Sequence, residues 1–144
     1  MVKRDEEELR ELATRLHAAA IRLLRTLRKE DDGTGLSAPR LSALSVIDFA
    51  GPLSLAELAA AEQVRPPTMS RIVDALVEAG LVTRESAPGD RRSVRIAATR
   101  KGVRLMEKGR ERRVRALVRR LSGVGADDHR RLEQAVEIME KMLA

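Results

Sequence analysis

Between Ser54 and Gly80 the chain carries two helix signals back to back, each too short to bury a core alone. Ser54-Leu55-Ala56-Glu57 reads as a capping box: a serine hydroxyl takes one orphan amide, and a glutamate three residues on reaches back to another. A short Ala/Leu helix follows, then Gln63-Val64-Arg65 as a turn. Pro66-Pro67 open a second helix, where a missing amide donor costs nothing. That helix places Met69, Ile72, Val73, Leu76 and Val77 on one face, and Gly80 ends it in the left-handed conformation. Two short helices joined by a tight turn form a helix-turn-helix.

After Gly80 the period changes to two. Leu81 to Glu85 and Ser93 to Ala97 read as strands joined through Ala87-Pro88-Gly89-Asp90, and a hairpin in this place is a wing. Thr99 then caps a long basic helix with Val103, Met106, Val114, Leu117, Val118 and Leu121 as inward positions. Ser122-Gly123-Val124-Gly125 breaks it, and a final helix from near Asp127 carries Leu132, Val136, Met139 and Leu143 at helical spacing.

Upstream, Leu9, Leu12, Leu16, Ala20, Leu23 and Leu27 mark an amphipathic helix that stops at Asp31-Asp32-Gly33-Thr34-Gly35. A second helix opens with Ser37 as N-cap and Pro39 in its first turn, turns Leu41, Leu44 and Ile47 inward, and ends at Gly51-Pro52. Phe49 is read as a core plug near its end. The expected fold class is mainly α with a small β-hairpin wing, a winged helix-turn-helix core flanked by long terminal helices. The terminal helices are more apolar than a small winged domain needs. Their stripes bury either against each other or against the same helices of a second chain, and the homodimer is the favoured reading.

Composition narrows the chemistry. The 144 residues suit one domain and contain no cysteine, so a disulfide scaffold, a thiol nucleophile, a cysteine zinc site and a thiol redox sensor are excluded. His17 and His129 lie in different terminal helices, and no glycine-rich phosphate loop occurs. The chain therefore reads as no enzyme, with no cofactor and no metal site. No apolar run is long enough to span a membrane, and the start lacks the apolar stretch of a secretory signal, so a cytoplasmic protein with no membrane partner is expected. Net charge is +6 and residues 101–121 alone carry +7, which points to a polyanion.

The second helix of the helix-turn-helix turns Pro67, Thr68, Ser70, Arg71, Asp74 and Glu78 outward, small and hydroxylated first, then basic, then acidic. That order suits a helix whose N-terminus enters the major groove of double-stranded DNA. Thr68 and Ser70 can bond phosphates or base edges, and Arg71 can bond O6 and N7 of guanine together. On the wing, Arg91 and Arg92 alternate in direction, so one can enter a minor groove while the other follows the backbone. Asp90 is expected to hold Arg92 by a salt bridge and shape the wing.

From Ser54 to Gly102 these residues resemble the multiple antibiotic resistance regulator (MarR) family of winged-helix transcription factors. The likeness rests on Leu55-Ala56-Glu57-Leu58-Ala59, Arg65-Pro66-Pro67-Thr68-Met69-Ser70-Arg71-Ile72-Val73, Gly80-Leu81-Val82-Thr83-Arg84, Pro88-Gly89-Asp90-Arg91-Arg92-Ser93 and Thr99-Arg100-Lys101-Gly102. The resemblance implies a homodimer joined by its terminal helices, a pseudo-palindromic operator, repression, and release by a small, often aromatic anion. It places Pro67, Thr68, Ser70 and Arg71 at the major groove, with Arg65 at the start of the same motif, and Arg91 or Arg92 at the minor groove. Arg84 is expected to brace the hairpin rather than touch DNA. Ala98 departs from the leucine usual before Thr99.

The implied organisation is a single domain over 1–144, with a DNA-binding winged helix at 37–100 and a helical dimerisation region at 1–32 and 101–144. A small-molecule effector pocket here would be aliphatic and arginine-lined, which suits a lipophilic acid better than a flat phenol. The alternative function is a winged helix acting as a non-specific architectural DNA or RNA binder, or as a protein-interaction module.

Overall fold

The computed structural model describes the backbone of residues 2–87 and 89–144, with side chains except at 2–4, 87, 91 and 92. Helix α1 spans Val2–Arg28 and passes into a 3₁₀ segment over Lys29–Thr34. Helices α2 (Ala38–Ala50), α3 (Leu55–Ala61) and α4 (Pro66–Glu78) follow, then strands β1 (Val82–Ala87) and β2 (Asp90–Ala98), then helices α5 (Arg100–Leu121) and α6 (Ala126–Leu143). The fold is mainly α with one antiparallel hairpin, the winged helix-turn-helix expected. Two compact units divide it: Asp31–Arg110, and Met1–Glu30 with Glu111–Ala144.

The core of Asp31–Arg110 gathers Ala43, Leu44 and Ile47 from α2, Leu58 and Ala59 from α3, and Met69, Val73 and Leu76 from α4. Leu81, Val82 and Ile96 close it from the hairpin. Ser37 holds the N-cap position of α2, but its hydroxyl caps nothing. Pro39, two residues on, brings no N–H to one of the two positions an N-cap side chain serves.

Phe49 is not a core plug; its side chain is 94% exposed. Ile47 is buried, and two residues further on the helix has turned about 200°. The aromatic type suggested the interior, but its place on the helix wheel sends it to solvent. Val77 likewise sits at the exposed margin of α4 rather than on its buried face.

The hairpin is longer than its period-two runs. Pairing runs from Val82↔Ala98 to Ser86↔Val94, then shifts to Ala87↔Asp90. Leu53 adds a third partner, donating to the Ile96 carbonyl at 3.0 Å and accepting from its amide at 2.7 Å. The segment between α2 and α3 is thereby tied to the wing.

In the terminal unit the helical periods hold but the faces stay open. Among its described residues Ala116 alone is buried. Val114, Val118 and Leu121 of α5, and Leu132, Val136 and Leu143 of α6, are exposed rather than inward. Leu9, Leu12, Leu16 and Leu23 of α1 are exposed too. Polar links occur near the end of α1, where Arg112 Nε donates to the Glu30 carbonyl at 3.1 Å and Arg119 lies 3.8 Å from the Glu30 carboxylate. Among the described residues no helix is long and apolar enough to cross a membrane.

Candidate nucleic-acid interface

Helix α4 is aimed by what it buries. Met69, Val73 and Leu76 recur at steps of four and three against the core, so the positions of Pro67, Arg71, Asp74 and Glu78 face outward. Arg65, Pro67, Thr68 and Arg71 are exposed, and Ser70 is half-buried at the margin. The side chains of Arg65, Thr68, Ser70 and Arg71 carry no hydrogen bond or ion pair to the described residues. Pro66 and Pro67 bring no N–H, and the Met69 amide is bonded to the Arg65 carbonyl at 3.1 Å. Thr68 therefore offers an amide and a hydroxyl together at the positive end of the helix dipole.

The other end of α4 is clamped. Gly80 takes φ of 71°, and its carbonyl accepts from the Thr99 hydroxyl at 2.7 Å. Lys101 Nζ donates to the Ala79 carbonyl at 2.8 Å, a cation placed on orphan carbonyls. On the outer face, Arg84 Nη2 of β1 lies 2.5 Å from Asp74 Oδ1, so Arg84 ties the hairpin to α4.

The capping box on α3 is present in full. The Glu57 amide donates to the Ser54 hydroxyl at 3.1 Å, and the Ser54 amide donates to Glu57 Oε2 at 2.7 Å. The same Oε2 accepts from Arg95 Nη1 of β2 at 2.8 Å. The Ser54 backbone N–H foremost, then its hydroxyl, hold the Glu57 carboxyl below its ordinary value; desolvation opposes them, and the Arg95 guanidinium adds to the lowering. Sequence reading found the box but missed Arg95 and Lys101. Period-two alternation on β2 was the available signal for Arg95; nothing local marks Lys101.

Five of the expected contact residues, Arg65, Pro67, Thr68, Ser70 and Arg71, thus gather on the first turns of α4. Asp90 opens β2 and is exposed. The side chains of Arg91 and Arg92 lie outside the described residues, and the expected Asp90–Arg92 bridge lies there with them. Gly89, at φ of 85°, supplies the positive φ that the wing tip requires.

The sequence pattern of the MarR family matches residues 36–94, from the residue before the α2 cap into β2. An uncharacterized HTH-type transcriptional regulator of Mycobacterium leprae is 33% identical over 132 residues, 92% of this chain and 92% of the relative. The chain belongs to the MarR family. Among solved structures, a transcriptional regulator from Thermotoga maritima is similar at TM-score 0.83 and 25% identity, covering 93% of this chain and 94% of its own. A MarR family protein from Bacillus stearothermophilus is similar at TM-score 0.76 and 25% identity, covering 96% of each chain. This MarR-family protein is accordingly a DNA-binding transcription regulator with a winged-helix fold. Its family pattern includes both the capping box and the exposed face of α4.

Proposed function

We propose that this MarR-family regulator binds duplex DNA sequence-specifically as a homodimer, and represses from a pseudo-palindromic operator until a small lipophilic or anionic ligand releases it. The observation that carries the DNA reading is the α4 face. Arg65, Thr68 and Arg71 are exposed, with no partner among the described residues, on a helix whose other face is anchored in the core. In this reading Pro67, Thr68, Ser70 and Arg71 meet the major groove, and Arg91 or Arg92 a minor groove, with Asp90 shaping the wing. Residues 37–100 form the DNA-binding region, and 1–32 with 101–144 the dimerisation region. In this reading the regulator works in the cytoplasm.

The open apolar faces of the terminal helices support the dimer. Leu12 of α1 is 61% exposed and Val118 of α5 57% exposed, and two-fold pairing lets one such patch serve twice. Release by a small ligand is what the likeness to the MarR family implies.

Sedimentation of the protein with a DNA duplex tests the proposal. Two chains per bound duplex are expected. Contact with about 6–10 phosphates should lower affinity on the order of 10³–10⁵-fold between 50 and 200 mM salt. One chain per duplex, or a flat salt response, overturns it.

A further inference from the structure

Arg71 and Asp74 lie three residues apart on α4, a spacing that puts their Cβ atoms about 5–6 Å apart on one helix face. Asp74 is the sole acidic residue within four positions of Arg71 along the helix. At that spacing an arginine and an aspartate are within reach of a salt bridge. They do not form one here. The Asp74 carboxylate is held by Arg84 across from β1 at 2.5 Å, and Arg71 carries no ion pair to the described residues. The Arg84 and Asp74 side chains are 38% and 60% exposed, and an exposed pair of this kind adds little to stability.

We propose that Arg84 is a positioning residue for base reading: by holding Asp74 against the hairpin, it keeps the Arg71 guanidinium free to meet DNA. The proposal rests on the reading of α4 as the DNA-binding face. Bidentate recognition of a base edge uses guanidinium donors that an Asp74 pair would occupy. Every chain in which Asp74 captures Arg71 is unable to read that base, so apparent affinity for the right sequence falls with the captured fraction. Affinity for a wrong sequence, which rests on phosphate contacts, falls far less.

The test is the ratio of affinities for a duplex enriched from random sequence and for its scrambled counterpart, with folding of each variant checked by thermal melting. Arg84→Ala should lower the ratio about two- to threefold, the loss expected when an exposed pair three residues apart captures part of the Arg71 population. Adding Asp74→Asn to Arg84→Ala should restore it, because no carboxylate remains to capture Arg71. In an Arg71→Ala background, Arg84→Ala should have no further effect on the ratio. A simple brace gives the opposite pattern: the Asp74→Asn addition restores nothing and the Arg84→Ala cost persists without Arg71, and either result overturns the proposal. If Arg84→Ala does not fold, Asp74→Asn alone decides, since the ratio must be kept or raised and a loss overturns the proposal. A wild-type protein with no preference between the two duplexes defeats the DNA reading itself. Preference in the wild type with failure of the restoration defeats this proposal alone.

Discussion

The Thr99 hydroxyl donates to the Gly80 carbonyl at 2.7 Å, so the residue that caps α5 also holds the residue that ends α4. The same hydroxyl accepts from the Gly102 amide at 3.1 Å, and the Thr99 amide donates to the Leu81 carbonyl at 3.0 Å. The hairpin is thereby closed at its base, and α4, the hairpin and α5 meet at one threonine.

Gly102 is the cost of that closeness. A Cβ there would lie 2.2 Å from the Leu81 carbonyl oxygen and 3.4 Å from Leu44 Cδ1, and backbone cannot step aside cheaply. Gly102→Ala should destabilise the protein by about 1–3 kcal/mol, the usual range for overpacking. Urea unfolding measures it; an unchanged midpoint contradicts the geometry.

The capping box gives a pH signature. The Glu57 carboxyl is held below its ordinary value in the folded protein, foremost by the Ser54 backbone N–H, so its stabilising effect is present above the unfolded value. It is lost as pH falls through the lower, folded value. The melting temperature of the wild type should exceed that of Glu57→Gln at pH 7, and the gap should close as pH drops below about 4. Ser54→Ala should cost about 1 kcal/mol through the lost cap. A gap independent of pH contradicts the assignment.

Much of this was legible in the residues because the signals were local. Ser54 with Glu57, Pro66-Pro67, and Gly80 each mark a helix end by its own chemistry, and all stand where expected. Phe49 differs from its expectation because an aromatic type suggests the interior, whereas its position two residues beyond Ile47 faces solvent. Val114, Val118 and Leu121 have the right period but no covering surface in one chain, and periodicity cannot say which molecule covers a face. Arg95 on Glu57 joins residues 38 positions apart, a pairing that only the folded hairpin creates.

The exposed stripes lead to a test of assembly. Val118→Glu or Leu12→Glu should shift the protein from dimer to monomer in sedimentation velocity, since burying an unpaired charge costs several kcal/mol. A variant that remains dimeric removes that residue from the proposed interface.

Arg71→Ala should weaken binding to the preferred sequence by about 1–3 kcal/mol and relax preference at one base pair in each half-site. Arg91→Ala and Arg92→Ala should weaken binding with less change in preference. Equal weakening on all sequences by Arg71→Ala makes that residue a phosphate contact instead.

The central claim, a dimer that reads DNA sequence through paired α4 helices, is tested most directly by selecting bound fragments from random duplex DNA at about 150 mM salt, near the physiological range, and sequencing them. The account predicts an enriched inverted repeat with half-site centres about 34 Å, one helical turn, apart. Retained fragments with no enriched motif contradict it.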